Sequence, residues 1–576
     1  GPVGGGGAVP AAGPRRGGCV TSATYWQAID RFRAFARTEP DREAVIYPDG
    51  TKSADLPSYR HVTYRELDDW SEAIAERLTA AGVGTGTRTI VLVLPSPELY
   101  AILFGLLKIG AVPVVIDPGM GLRKMVHCLR AVEAEAFIGI PPAHAVRVLF
   151  RRSFRKVRTT VTVGKRWFWR GERLADWGTT PSGVARERVP GAADDVLVIG
   201  FTTGSTGPAK AVELTHGNLA SMVEQVHTAR GRIAPETSLI TLPLVGILDL
   251  LLGSRCVLPP LIPSKVGSTD PAHVAHAIEK FGVRTMFASP ALLIPLLRHL
   301  EQRPIELKTL GSIYSGGAPV PDWCIAGLRE VLAEDVQIFA GYGSTEALPM
   351  SLIESRELFD GLVDRTHRGE GTCIGRPADK IEARVVAITD EPLPTWARVE
   401  ELAGDLESSR GIGELVVAGP NVSTHYYWPA EANRQGKIVD GDRIWHRTGD
   451  LAWIDDEGRI WFCGRKSQRV VTADGPMFTV QVEQIFNTVA GVARTALVGV
   501  AARGAQRPVL CIELQPEADG AAVGAALRAR GSEFELTRTI ADFLIHPGFP
   551  VDIRHNAKIG REQLAQWAAK QIGADA

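Results

Sequence analysis

Apolar residues follow two alternating spacings through the larger, N-terminal part of the chain. The runs TIVLVLP and AVPVVIDP are short and almost continuous, as in buried strands, whereas DDWSEAIAERLTAAG and PELYAILFGLLKIG repeat apolar residues at helical spacing. Strands that alternate with helices in this way predict a parallel sheet with helices packed on its faces. We therefore expect an α/β fold for this part of the protein.

A second pattern follows towards the end of the chain. RVVTA, ARTALVGV and PVLCIEL are strand-like, QVEQIFNTV is helical, and we expect another helix near Leu536 to Leu544. This order indicates a small α+β domain. At the other end, GPVGGGGAVPAAGPRRGG is rich in glycine, proline and alanine, so residues 1–20 are expected to form a disordered tail.

Length and composition narrow the possible functions. The 576 residues suffice for more than one domain, and a net charge of −1 argues against nucleic acid as a partner. No apolar run approaches the roughly 20 residues of a membrane span. The seven cysteines are scattered without a CxxC pair, which indicates neither disulfides nor a zinc site, so we expect a cytoplasmic protein.

The segment from Arg151 to Arg170 is strongly basic. It carries eight basic residues and no acidic ones, mixed with Trp167, Phe168 and Trp169. A membrane surface or a partner protein could dock there, and a solvated surface segment is the alternative.

The stretch FTTGSTGPAK, from Phe201 to Lys210, has the composition of a phosphate-binding loop between two strands, the second leading into a helix at Thr215. Glycines let the backbone approach an anion, hydroxyls and amides donate to its oxygens, and the lysine adds charge. The candidate ligands are Thr202, Thr203, Ser205, Thr206, Gly207 and Lys210. The order differs from GxxxxGK[ST], and a plain Ser/Thr/Gly-rich turn is the alternative.

Two further glycine-rich motifs follow strand-like runs. GSIYSGGAPV offers backbone on which a flat base could stack, and in QIFAGYGSTEA a tyrosine ring can stack on adenine, a threonine can reach a phosphate and a carboxylate can hold Mg²⁺. The candidate residues are Gly316, Gly317, Ala318, Pro319, Gly341, Tyr342, Gly343, Ser344, Thr345 and Glu346. Taken alone, GYGSTE could be a turn with a helix cap.

The stretch HRTGDLAWIDDEGRIWFCGRK supplies a carboxylate and a guanidinium. Asp450 follows a glycine turn, where it can accept both hydroxyls of a ribose, and Arg465 ends a strand, where it can pair with ribose or phosphate. The alternative for Asp450 is a turn residue in a hairpin.

In this order, the motifs resemble those of the adenylate-forming superfamily, which includes acyl-CoA synthetases, adenylation domains and luciferases. The resemblance covers roughly Thr21 to Lys570 and implies ATP and Mg²⁺, with Glu346 as metal ligand. It implies a large N-terminal domain of layered parallel and mixed sheets at 21–463 and a small C-terminal domain at 464–576. The hinge between them is expected near Gly464, with Ser467 and Gln468 as pivots.

The resemblance also implies a catalytic lysine in the C-terminal tail. Lys558 precedes IGR and a terminal helix, where the family has its catalytic lysine, although Asn556 and Ala557 replace the usual Ser-Gly. A surface lysine is the alternative. With Thr345 and Glu346, Lys558 completes the expected catalytic set.

The C-terminal sequence also bears on the product. The loop TADGPMFTVQVE and the ending FPVDIRHNAKIGREQLAQWA look like the OleC family of β-lactone synthetases, which adenylate a long-chain 2-alkyl-3-hydroxy acid in olefin biosynthesis. The substrate's own 3-hydroxyl then closes the ring. The apolar stretch from Thr241 to Pro260 is typical of a buried strand and helix, and in the family this region helps to line the acyl pocket. An apolar lining favours a long aliphatic substrate. Other proteins of the pathway are possible partners.

Two alternatives remain open on sequence. A long-chain acyl-CoA or acyl-carrier ligase would share the adenylation motifs and would need a thiol acceptor. A non-catalytic nucleotide or acyl binder would retain the site without turnover, and would release no pyrophosphate.

Overall fold

The computed structural model describes residues 28–49, 56–183, 191–202, 208–231, 235–261, 263–402, 411–502, 505–551 and 559–573. The expected tail at 1–20 lies outside these residues. No helix in the described part of the chain is long and apolar enough to cross a membrane. The six cysteines in these ranges are buried free thiols.

An eight-stranded sheet is formed by the alternating pattern of the N-terminal region. Its order is Tyr426–Trp428, Ala211–Thr215, Val196–Phe201, Val112–Val115, Arg88–Leu92, Ala136–Gly139, Thr159–Thr162 and Glu172–Arg173. The strand pairs from Val196–Phe201 through Glu172–Arg173 are parallel, whereas Ala211–Thr215 is antiparallel to both of its neighbours. The predicted parallel sheet is therefore confirmed, with an antiparallel edge.

A nine-stranded sheet is built mostly from the middle of the chain. Its order is Arg376–Pro377, Ala347–Glu354, Gln337–Ser344, Ser312–Ser315, Thr285–Ala288, Thr237–Ile240, Arg255–Val257, Glu43–Asp49 and Ser58–Thr63. A six-stranded antiparallel sheet follows, ordered Thr372–Cys373, Ile460–Arg465, Arg443–Ile454, Gly413–Ala418 and Glu382–Val386, with Lys437–Asp440 paired to Arg443–Ile454.

Within the described residues, the α-helices of six or more residues begin and end as follows: Ala28–Thr38, Tyr64–Ala80, Pro97–Lys108, Leu122–Val132, Pro141–Leu149, His216–Ala229, Pro243–Leu251, Pro271–Phe281, Pro290–Gln302, Asp322–Val331, Trp396–Glu401, Glu431–Gly436, Thr479–Phe486, Gly520–Ser532 and Arg561–Gln571. Thr63 begins one of them with a reciprocal capping box to Glu66. The largest apolar core joins helices to both large sheets, with Phe32 and Phe104 stacked 4.1 Å apart.

The C-terminal region has two small sheets. Val470–Thr472 pairs with Gly475–Met477, while Val492–Ala502, Ala505–Leu514 and Asp542–Ile545 form the other. The large α/β region and smaller α+β region match the expected fold class. The boundary at 463/464 stays a prediction, and the expected pivots Ser467 and Gln468 lie in the short helical turn Lys466–Gln468.

One expected helix is wrong. The stretch from Leu536 to Leu544 contains a turn and most of the strand Asp542–Ile545, and the helix lies upstream at Gly520–Ser532. That helix is made of GAAVGAALRARGS, in which small residues hide the amphipathic spacing. Phe543 packs edge-on against Phe486, and this tertiary contact stabilises the strand in place of a helix.

Candidate active site

The base of the predicted phosphate loop is closed by two hydrogen bonds. The Thr202 amide donates to the Lys210 carbonyl at 2.9 Å, and the Lys210 amide donates to the Thr202 hydroxyl at 3.0 Å. These bonds continue the antiparallel pairing of Phe201 with Ala211. The predicted ligands Thr203, Ser205, Thr206 and Gly207 lie outside the described residues.

Thr345 and Glu346 form the tip of a β-hairpin. Ser344 pairs with Ala347 across the turn, so the GYGSTEA motif is strand, turn and strand rather than a helix cap. A Cβ on Gly200 would lie 3.3 Å from the Thr345 methyl group, which shows how closely the hairpin tip approaches the strand leading into the phosphate loop. The Glu346 carbonyl accepts from the Ser423 amide at 2.7 Å. The structure thus brings two predicted motifs together.

The Glu346 side chain is buried and held by a tyrosine. The Tyr426 hydroxyl donates to Glu346 Oε1 at 2.8 Å. The ring of Tyr426 in turn contacts two ammonium groups, because Lys210 Nζ lies 5.0 Å and Lys437 Nζ lies 4.8 Å from its centroid. The Lys437 ammonium also donates to the Ser423 carbonyl. Two lysine side chains and one carboxylate therefore contact a single tyrosine.

Burial and charge set the protonation of this cluster. Burial opposes the charge on Glu346, but the positive charge that His446 carries when protonated, the Tyr426 hydroxyl and Lys437 outweigh burial and lower the pKa of the carboxyl. Burial lowers the pKa of Lys437 to about 7, although the nearby Glu346 opposes that shift. Burial and Lys437 also lower the pKa of His446, so its imidazole is neutral near pH 7. Glu346 remains an anion that can face a metal or cationic group.

The glycines of the two middle motifs lie against each other. A Cβ on Gly316 would lie 3.2 Å from the Gly341 carbonyl oxygen, and one on Gly341 would lie 3.3 Å from the Ser315 carbonyl oxygen. Gly317, next to them, is exposed and has a φ of +84°, which favours glycine. Ala318, which is half-buried, and Pro319, which is exposed, follow it, and Gly343 lies in the strand that ends at Ser344. The backbones of the two glycine motifs therefore lie close together at the place where we predicted that a base would stack.

Tyr342, Asp450 and Arg465 form a second polar cluster. The Tyr342 hydroxyl donates to Asp450 Oδ2, and Arg465 Nε lies 3.0 Å from Asp450 Oδ1. Asp450 and Arg465 are cross-strand neighbours in an antiparallel pair, which explains how residues distant in sequence meet. Burial raises the pKa of Asp450, against the opposing effects of Arg465 and Tyr342. Asp450 is thus a strand residue, and the turn alternative is wrong.

The donor set can be compared with the needs of a nucleotide and Mg²⁺. Despite the nearby Arg465, Asp450 Oδ1 has no hydrogen-bond partner among the described residues, as expected of an acceptor awaiting a ribose hydroxyl. In the same residues there is no group of three or more acidic, His or Cys side chains that could form a metal cage. One carboxylate, Glu346, fits Mg²⁺ because this ion is commonly shared with substrate phosphates and water.

The chain that follows Lys558 contacts the predicted pivot. Lys558 itself lies outside the described residues. Arg561 Nε donates to Gln468 Oε1 at 3.1 Å, and Arg561 Nη2 donates to Glu483 Oε2 at 2.9 Å. Glu483 is buried and also accepts from the Leu497 amide at 2.7 Å. The tail is therefore tied to the turn after Arg465 and to the helix Thr479–Phe486.

The predicted apolar lining from Thr241 to Pro260 is largely core. Helix Pro243–Leu251 and strand Arg255–Val257 occupy it, and Leu250 and Leu251 are fully buried. Its Asp249 is buried in an ion pair with Arg230. A role of this stretch in lining an acyl pocket stays a prediction.

Sequence reasoning missed Tyr426, Lys437 and His446. Tyr426 is followed by Tyr427 in the stretch GPNVSTHYY, and nothing local distinguishes one tyrosine from the other. Lys437 begins a strand and His446 pairs with it across the sheet, so their proximity to Glu346 depends on the six-stranded sheet. The signal available was a Lys and a His within otherwise apolar strand sequence.

Comparison with known proteins agrees with this geometry. The family model described as AMP-binding enzyme matches residues 32–427. The chain is 42% identical over 553 residues to olefin beta-lactone synthetase of Stenotrophomonas maltophilia (strain K279a), covering 94% of this chain and 98% of the relative. It is 43% identical over 546 residues to the Xanthomonas campestris pv. campestris enzyme of the same name, covering 93% and 96%.

Solved structures share the fold at low sequence identity. The anthranilate CoA ligase AuaEII in complex with anthranoyl-AMP has a TM-score of 0.75 at 19% identity, covering 95% of this chain and 98% of that one. The O-succinylbenzoate coenzyme A synthetase of Bacillus subtilis, in complex with ATP and a magnesium ion, has a TM-score of 0.70 at 20% identity, covering 93% and 98%.

The chain therefore belongs to the AMP-binding enzyme family, the adenylate-forming enzymes, and is an ATP-using, AMP-forming ligase. Within that family it is similar to olefin β-lactone synthetases along nearly its whole length. Both the superfamily and the narrower resemblance expected from its motifs are confirmed.

Proposed function

We propose that this enzyme adenylates a long-chain 2-alkyl-3-hydroxy acid and then closes it to a β-lactone, with release of AMP and pyrophosphate. The observation that carries adenylation is the buried Glu346, bound by Tyr426 and flanked by Lys210 and Lys437, beside the base of the phosphate loop. The similarity over 94% of the chain to an olefin β-lactone synthetase supports the second step.

Adenylation solves the poor reactivity of a carboxylate. A carboxylate oxygen of the substrate attacks the α-phosphorus of ATP, the bond to the bridging oxygen breaks, and pyrophosphate leaves. Negative charge grows on the phosphate oxygens, so cations and donors that are already in place stabilise the transition state. Lys210 and Lys558 are proposed to supply positive charge, and Thr345 a hydroxyl. Mg²⁺ bound by Glu346 would neutralise phosphate charge.

The nucleotide is proposed to lie along the two polar clusters. Asp450 would accept the ribose hydroxyls, because its Oδ1 is buried without a hydrogen-bond partner in the described residues. Arg465 would hold the ribose or a phosphate beside it. Tyr342 and the exposed edge at Gly317 would contact the base.

Ring closure then needs no external acceptor. The 3-hydroxyl oxygen bonds to the carbonyl carbon, the bond from that carbon to AMP breaks, and the hydroxyl proton is released. The nucleophile is tethered to the activated carbonyl, so no entropy of bringing two molecules together is lost. The small C-terminal region is proposed to move at Ser467 and Gln468 between steps and to keep water from the acyl-adenylate.

Mass spectrometry of the products tests this function. The enzyme would be incubated with a long-chain 2-alkyl-3-hydroxy acid, ATP and Mg²⁺, with and without CoA. We expect a product lighter than the substrate by one water, together with AMP and pyrophosphate, in both reactions. A thioester formed only with CoA would identify an acyl-CoA ligase instead, and no pyrophosphate with any hydroxy acid would identify a binder without turnover.

The location of the enzyme and its protein partners are also proposals. A cytoplasmic enzyme that receives its hydroxy acid from, and passes its lactone to, other proteins of one pathway is consistent with free, buried cysteines in the described part of the chain. Fractionation of cells and co-purification of the full-length chain would test these two points.

A further inference from the structure

The basic segment from Arg151 to Arg170 is well ordered by packing on its inner side. Trp169 is 6% exposed, stacks on His144 at 5.3 Å and donates to the Thr162 hydroxyl at 3.0 Å. Phe154 packs edge-on against Phe137 within the core. These two anchors fix the outer residues of the segment in place.

The outer side of this segment is apolar at its tip. Phe168 is 76% exposed and Leu149, just before the segment, is 73% exposed, which makes them the two most exposed large apolar side chains in the described ranges. Trp167 is 53% exposed. Trp169 packs on the helix Pro141–Leu149, whereas the preceding Trp167 and Phe168 are exposed to solvent. Contact with an apolar surface would remove the free-energy cost of exposing these two rings.

Basic residues flank these aromatic residues in the sequence. All eight are exposed: Arg151, Arg152, Arg155, Lys156, Arg158, Lys165, Arg166 and Arg170. Among the described residues, only Lys156 has an acidic partner within ion-pair distance, namely Glu133 at 2.7 Å. The segment therefore carries a large excess of positive charge in a chain whose net charge is −1.

A cavity beside the segment is lined by the same charges. Its volume is about 140 Å³, and it lies between Leu129, Arg130 and Glu133 on one side and Arg152, Arg155 and Lys156 on the other. Four cationic side chains and one carboxylate line it, so its surroundings suit a phosphate group.

We propose that this surface docks the enzyme on an anionic phospholipid membrane, with Trp167 and Phe168 in the headgroup region and the cavity facing lipid phosphates. Exposed aromatic rings set among lysine and arginine match the interface between headgroups and acyl chains. An acidic protein face would attract the same charges, but the protruding aromatic tip favours a soft apolar layer. Membrane docking would bring the enzyme to its lipid-like substrate.

The position of the surface allows a clean test. The strand Thr159–Thr162 is four strand spacings, about 19 Å, from Val196–Phe201 at the phosphate loop. Variants of the segment from Arg151 to Arg170 should therefore leave the rate of pyrophosphate release in detergent unchanged. A loss of membrane docking can then be told apart from a failure of the proposed reaction.

The experiment measures sedimentation of the full-length chain with vesicles. Vesicles of phosphatidylcholine with about 30% phosphatidylglycerol would be compared with phosphatidylcholine alone, at ~0.1 M and ~0.5 M salt. We expect binding only to the anionic vesicles, weaker in high salt. The triple variant Arg151→Gln, Arg155→Gln, Lys165→Gln should bind roughly a hundredfold more weakly. Trp167→Ser with Phe168→Ser should weaken binding with less dependence on salt.

Matched variants elsewhere serve as controls. Lys308→Gln, Arg434→Gln and Arg538→Gln together remove the same charge from side chains that are 75%, 71% and 60% exposed, and Trp323→Ser removes an exposed ring. These should bind like the wild type. Equal losses of binding in the control variants, or equal binding of the wild type to neutral vesicles, would overturn the proposal. It would also be overturned if the wild type did not sediment with anionic vesicles, and an acidic protein would then be the occupant of this surface.

Discussion

Tyr426 shows how one residue organises the chemistry of the site. Its hydroxyl donates to Glu346 Oε1, while Lys210 Nζ and Lys437 Nζ lie 5.0 Å and 4.8 Å from the centroid of its ring, so one residue contacts the carboxylate and both lysines. A buried carboxylate needs such donors to stay charged. Glu346 is thereby kept as an anion of fixed orientation.

Tyr426→Phe tests this role, since phenylalanine keeps the ring and removes the hydroxyl. We expect kcat/KM for pyrophosphate release to fall about tenfold, as for a lost hydrogen bond to a charged group, and the Mg²⁺ concentration for half-maximal rate to rise. Tyr427→Phe is the matched control, because the Tyr427 hydroxyl donates to Val132 at 3.3 Å. A Tyr426→Phe enzyme with an unchanged rate and Mg²⁺ requirement would remove Tyr426 from this role.

His144 is a second residue whose burial has a measurable consequence. Burial lowers its pKa from 6.5 to about 4. The unfolded chain therefore takes up a proton at higher pH than the folded chain, and the folded state loses stability as pH falls from about 7 to about 4. The loss approaches about 3 kcal/mol.

His144→Leu should remove this part of the pH dependence. We expect the fall in thermal midpoint between pH 7 and pH 5 to be smaller in the variant than in the wild type, whatever the change at pH 7. His273→Leu, on the helix Pro271–Phe281, provides the control. Parallel falls in wild type and His144→Leu would show that this histidine does not carry the effect.

At the scale of elements, the sequence predicted the strands and helices next to the motifs but not how the strands pair. The strands on both sides of the phosphate loop and the helix beginning at His216 follow the sequence pattern, because apolar runs and the Thr215 cap are local signals. The hairpin at Thr345 and Glu346 was not predicted. Its register depends on pairing of Gln337–Ser344 with Ala347–Glu354, and cross-strand pairing is a non-local property.

The contact between Gly464 and Thr479 is another product of element packing. Gly464 has a φ of +136°, and a Cβ there would lie 2.5 Å from the Thr479 hydroxyl oxygen. The strand before the expected hinge therefore packs directly against the helix after it. A side chain larger than hydrogen would separate them.

Gly464→Ala should lower the thermal midpoint more than Gly458→Ala. Both glycines have positive φ, but a Cβ on Gly458 would have nothing within 4 Å, so that variant measures backbone strain of about 1 kcal/mol alone. Adding Thr479→Ala to Gly464→Ala should recover part of the difference. Equal midpoints for the two alanine variants would show that the packing relaxes freely.

At the scale of the whole molecule, the proposed catalytic set includes Lys558, just before the helix Arg561–Gln571 of the C-terminal tail. Arg561 links this tail to Gln468 and Glu483, and so to the turn after Arg465. The tail is thus held to the turn Lys466–Gln468, where the pivot is expected. Lys558 remains a prediction from the resemblance, since it lies outside the described residues.

Lys558→Ala should lower pyrophosphate release by roughly a hundredfold or more while leaving the thermal midpoint near that of the wild type. The loss of a positive charge at the reacting phosphate raises the barrier but removes no core contact. Lys570→Ala, on the helix Arg561–Gln571, is the matched control in the same tail. Equal rates for Lys558→Ala and the wild type would refute the assigned role.

The sequence by itself determined the class of fold, the adenylate-forming motifs and their order, because strand and helix periods, glycine loops and hydroxyl-rich turns are written in neighbouring residues. Only the tertiary structure decided which charges meet. Tyr426 contacts Glu346 although the two are 80 positions apart in the sequence, and Asp450 meets Arg465 by strand register. Such encounters depend on how sheets pair and pack, and a buried charge acquires its protonation from those distant partners.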